Sequence, residues 1–175
     1  MKKNVDYSWI LKIVLLSFVI SVFFSFISEM TIPKFNIVLG IVICLLFIVV
    51  GIIFDMIGVS VTASDPSVFN SMAAKKIRGA KLAVKFKQKA DKVSSFCNDV
   101  VGDICGIISG SAGAVIALRL SENLSINPLL ITLLVTGIIS ALTIGGKALV
   151  KSTAIKRSNK ILYRFAFVLS LFYRR

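Results

Sequence analysis

With 175 residues, 57% of them hydrophobic, and a mean hydropathy of +0.91, the chain is too apolar for an ordinary soluble domain, in which about half of the residues are apolar. Lysine and arginine number 21 against 8 aspartates and glutamates, a net charge of +13, so the partners to weigh are nucleic acid and an acidic membrane surface. The chain has no histidine, which argues against zinc, haem and histidine-based acid–base chemistry.

Four segments approach the ~20 apolar residues that a membrane-spanning helix needs: 7–28, 35–61, 94–118 and 126–144. The first follows Lys2 and Lys3 as a secretory signal would. Its apolar stretch over 9–27 is longer than the ~7–15 residues of a signal core, and no Ala-x-Ala site follows, so it reads as an anchor. The second contains a single carboxylate, Asp55, within the oily run 41–59. A charge in a bilayer costs a few kcal/mol on the mildest scales and turns toward protein or a wet cavity, which makes Asp55 the most informative residue of the chain. A span ending near Phe54 would instead leave it at the inner interface, at lower cost.

The connection over 65–92 is too long and too periodic for a plain loop. Ser64 or Asp65 can cap a helix with Pro66 in its first turn. Phe69, Met72, Ala73, Ile77, Ala80 and Val84 recur at helical spacing against a lysine-rich face, with a bend or break expected at Gly79. The third span is the most polar. It carries Asn98, Asp99 and Asp103, followed by small residues such as Gly102, Gly106, Gly110 and Gly113, a composition suited to a central position in a bundle. After the fourth span, residues 147–172 repeat the basic amphipathic pattern with Leu149, Ile155, Leu162, Phe165, Ala166, Leu169 and Phe172 on one side.

The fold expected is therefore an all-α membrane protein in one domain, with four transmembrane helices and two basic amphipathic juxtamembrane helices. Lysine and arginine concentrate in the N-terminal tail, in the connection from Lys75 to Lys92 and in the tail from Lys147. The other two loops hold little more than Lys34 and Arg119. By the positive-inside rule both termini face the cytoplasm of a plasma (inner) membrane, with the basic helices on its anionic inner leaflet. No base-reading motif or aromatic-interleaved groove accompanies the lysines, which favours lipid over nucleic acid. Cys44, Cys97 and Cys105 lack Cys-x-x-Cys spacing and read as small packing residues.

Asp99 and Asp103 are four residues apart, on one face of a helix, with Asn98 beside them and Gly102 leaving room. Together with Asp55 and Ser60 they offer oxygen ligands without nitrogen or sulfur, a set suited to magnesium or another hard cation such as sodium, with no organic cofactor. Two other readings stand beside this one: carboxylates at a membrane edge held by amides or lysines, and neighbouring acids that share a proton.

The order of elements resembles the transmembrane domain of the cyclin-M and CorB/CorC magnesium transporters, over residues 37–172. The likeness rests on Asp55-Met56-Ile57-Gly58-Val59-Ser60-Val61-Thr62 in the place of the family's Ser-x-Ser-Glu element and on Arg78-Gly79-Ala80-Lys81. A third stretch, Gly146-Lys147-Ala148-Leu149-Val150-Lys151-Ser152-Thr153-Ala154, stands where the family has Gly-Glu-x-x-Pro-Lys-x-x-Ala. In this register Asp55 takes a serine position, Gly58 that of the glutamate, and Lys147 that of a second glutamate. Gly102-Asp103 or Asn98 corresponds to the family's Gly-Asn element. The resemblance implies a homodimeric cation transporter, with nucleotide-sensing domains replaced by a separate regulatory protein or lacking. The competing expectation is a non-transporting scaffold or accessory subunit whose polar cluster is structural. An enzyme has little support, since no nucleophile–base pair or phosphate-cradling loop is present.

Overall fold

The computed structural model of the chain describes residues 7–31 and 36–172. Lys2, Lys3, Pro33, Lys34, Phe35, Arg174 and Arg175, on which parts of the sequence pattern rest, lie outside the described residues. The described residues form helices and no strands: α1 (Tyr7–Thr31), α2 (Ile37–Ala63), α3 (Pro66–Ala74), α4 (Ala80–Gln88), α5 (Ala90–Ser95), a π-helical stretch (Phe96–Gly102), α6 (Asp103–Leu124), α7 (Pro128–Lys156) and α8 (Ser158–Phe172). Four stretches are long and apolar enough to cross a membrane: Tyr7–Ile27, Ile37–Ala63, Ala90–Leu124 and Pro128–Lys156.

Two boundaries differ from the sequence expectation in ways that matter. The Gly145-Gly146 pair, just past the expected end of the fourth span, lies inside α7, which continues to Lys156. Gly146 is a packing residue: a Cβ there would collide with Ile52. Lys147 and Lys151 thus belong to a spanning helix and not to a tail helix. The 65–92 segment is three short helices rather than one: Lys76 (φ 56°), which ends α3, and Gly79 (φ 83°), the N-cap of α4, are both left-handed, and α4 and α5 part at Lys89 (φ −112°, ψ 35°).

The chain divides into two compact units. One combines Met1–Val50 with Asp103–Leu142. There α1 packs on α6, Phe24 meets Phe47 edge to face at 6.5 Å, and the Cys44 thiol donates to the Ser109 carbonyl at 3.4 Å. Gly113 leaves room for Ile139. Leu11, Phe18, Leu129 and Leu133 are exposed, as expected of side chains whose solvent is hydrocarbon.

The other unit combines Gly51–Gly102 with Thr143–Arg175. Its core is Ile57, Val61, Phe69, Ala83, Cys97, Leu162 and Ala166, apolar groups from α2, α3, α4, the π-helical stretch and α8. Polar bonds tie the short helices to the end of α2. Lys87 donates to the carbonyls of Val61 (3.1 Å) and Thr62 (2.8 Å), a cation at the negative end of the helix dipole. The Asp65 amide donates to Asn159 Oδ1 at 2.8 Å, and the Ser158 hydroxyl to the Ala63 carbonyl at 3.4 Å. Asp65 is the N-cap of α3, its carboxylate accepting from the Ser67 amide at 2.8 Å.

A candidate polar site in the membrane-spanning part of the second unit

Asp55 follows Ile37 by eighteen residues, and Lys147 follows Pro128 by nineteen. At a rise of about 1.5 Å per residue both sit about 27–29 Å along their helices. The two side chains meet. Lys147 Nζ lies 3.8 Å from Asp55 Oδ1, with side-chain exposures of 29% and 18%. The separation exceeds a hydrogen bond, so this is a charge pairing between two partly exposed side chains, neither charge fully shielded.

Gly58, one turn beyond Asp55 on α2, faces the π-helical stretch. A Cβ on Gly58 would overlap the carboxamide of Asn98, so the absence of a side chain on α2 is what admits this amide. Asn98 Nδ2 makes a long contact to Ser94 Oγ, 3.5 Å. Its Oδ1 is buried and has no hydrogen-bond partner among the described residues, which for an amide oxygen costs about 1–3 kcal/mol. Gly102, four residues further along the same stretch, is buried. A Cβ on it would lie 3.7 Å from Lys147 Nζ and 3.5 Å from the Cys97 carbonyl oxygen. The wider turn of a π-helix changes which residues share a face, and such stretches occur frequently at functional sites.

Of the candidates named from the sequence, Asp55 and the Gly102 backbone therefore lie beside the Lys147 ammonium, and Asn98 lies against Gly58, one turn along α2 from Asp55. Ser60 is fully buried but its hydroxyl serves the backbone, donating to the Met56 carbonyl at 2.7 Å and lying 3.2 Å from that of Ala154. It links α2 to α7. Asp99 is exposed on the π-helical stretch, and Asp103, also exposed, opens α6 in the first unit. Among the described residues no group of three or more histidine, cysteine, aspartate or glutamate side chains converges.

Lys147 is the one member of this site that sequence pattern assigns elsewhere, to the basic tail. Its depth along an uninterrupted α7 is the signal that could have found it. Comparison of the chain with protein-family models, with curated proteins and with solved structures finds no match in any of the three.

Proposed function

We propose that this chain is a multi-pass membrane protein that binds a hard cation, magnesium or sodium, at Asp55 and Asn98 and moves it across the bilayer. On this reading it is a cation-handling module of the cyclin-M/CorC kind, working as a homodimer with a separate regulatory protein. The observation that carries the proposal is the unsatisfied Asn98 Oδ1 held by the Gly58 gap within a turn of a charge pair that is too long for a hydrogen bond. Such an arrangement is costly for a purely structural core. Lys147 acts as a tethered cation: its ammonium balances Asp55, and the ion enters as Lys147 moves off. Gly106 and Gly110, with no neighbour within 4 Å of an added Cβ, leave a small-residue face of α6 for the second copy.

The lysines between Lys75 and Lys92 and those after Lys147 support an orientation with both termini in the cytoplasm of a plasma (inner) membrane. In that orientation α3, α4 and α8 lie along the inner leaflet as juxtamembrane helices. The test is flux in proteoliposomes: magnesium- or sodium-dependent uptake by the wild-type protein, lost in Asp55→Asn with assembly unchanged. A second reading, a non-transporting scaffold, is favoured by the neutrality of the Asp55–Lys147 pair. It expects no flux from either protein and a folding defect in Asp55→Asn.

A further inference from the structure

The turn between α3 and α4 carries a second concentration of charge, apart from the polar site. Lys76, Arg78, Lys81 and Lys85 line a cavity of about 630 Å³, together with Ile77 from the turn and Ser170 from α8. Among the described residues no carboxylate lines it, and all four cationic residues are exposed. Four like charges around one hollow repel one another, so their arrangement needs a structural cause.

That cause is the turn itself. Lys76 and Ile77 donate to the carbonyls of Ala73 (3.0 Å) and Met72 (3.1 Å), the paired bonds of a Schellman motif that here places a lysine, rather than glycine, at φ 56°. Three residues on, Gly79 at φ 83° sits against the backbone of Phe167, and the Arg78 guanidinium lies 6.0 Å from the centroid of the same ring. Phe167 thus clamps the turn to α8. Lys87 fixes α4 at the carbonyl end of the membrane-crossing helix α2, which sets the cavity within this unit beside the end of a span.

We propose that this cavity binds the phosphate-bearing headgroup of an acidic membrane phospholipid. Its volume falls in the range of small-ligand sites, about 300–1,000 Å³. Its charge complements a phosphodiester anion, and Ile77, 38% exposed, offers an apolar contact where an acyl chain would begin. The inference rests on the membrane orientation proposed above but not on cation handling, and Asp55→Asn leaves it intact.

The experiment uses the full chain in nanodiscs of neutral phosphatidylcholine, to which phosphatidylglycerol is added, with the melting temperature and co-purified lipid as readouts. A separate arm adds inorganic phosphate in place of the acidic lipid. Lys81→Gln/Lys85→Gln is compared with Lys151→Gln/Lys160→Gln, which removes the same charge outside the cavity. Stabilisation by phosphatidylglycerol, weakened about tenfold in apparent affinity by the cavity pair and little changed by the control pair, supports the headgroup site. Equal losses in both pairs reduce the effect to general charge attraction and overturn the proposal. So does an equal stabilisation by inorganic phosphate alone, which would make the ligand a soluble anion, or no stabilisation by either.

Discussion

The Cα of Gly58 faces the carboxamide of Asn98 so closely that any side chain on Gly58 would occupy the space of the amide oxygen. Gly58→Ala therefore has to turn Asn98 away. Because the obstructing group ends a short, rotatable side chain, the expected cost is about 1 kcal/mol, at the low end for overpacking. Asn98→Ala in the same chain removes the obstruction, so the double variant should melt at or above Gly58→Ala. Melting curves of the two single variants and the double variant measure this, and strict additivity would count against the contact.

The spans are legible in the sequence because about twenty apolar residues in a row have few stable solutions other than a helix in hydrocarbon. Asp55 is legible for the same reason, as a single charge where charges are expensive. The π-helical stretch is not, since nothing in Phe96–Gly102 marks one extra residue per turn. Lys147 escapes because the two glycines before it look like a helix end when Ile52, which needs the space at Gly146, is not known to be opposite. The division of 65–92 is half visible: Gly79 announces a left-handed turn, whereas Lys76 at positive φ defies its own preference.

Two glycines in one chain should respond in opposite ways to alanine. At Gly79 the φ of 83° and the Phe167 Cα, 2.9 Å from an added Cβ, make Gly79→Ala destabilising by about 2 kcal/mol, from strain and contact together. At Gly145, inside α7 with no neighbour within 4 Å, Gly145→Ala should be neutral or stabilising by up to about 1 kcal/mol. Thermal unfolding of both variants in one detergent decides it.

Asp65 should make α3 sensitive to acid. The Ser67 amide hydrogen bond holds its carboxyl below the usual carboxylate range, helped by the Ser67 side chain and, more weakly, by the charge of Lys87. A pKa lowered on folding stabilises the folded state above the unfolded value, about 3.9, and that contribution is lost as pH falls through the folded value. Asp65→Asn keeps an oxygen for the cap without the charge. Hydrogen exchange in α3 should show the wild type better protected near neutral pH and the two proteins converging in acid; a gap that widened on acidification would be the wrong sign.

Magnesium binding to the purified protein, measured by calorimetry for wild type, Asp55→Asn and Lys147→Met, tests the cation account most directly. If the Lys147 ammonium, 3.8 Å from Asp55, competes with the ion, Lys147→Met should bind about tenfold more tightly, a gain of about 1.4 kcal/mol, and Asp55→Asn should bind no ion. Equal affinities in all three proteins, or no heat from any of them with magnesium or sodium, would contradict it.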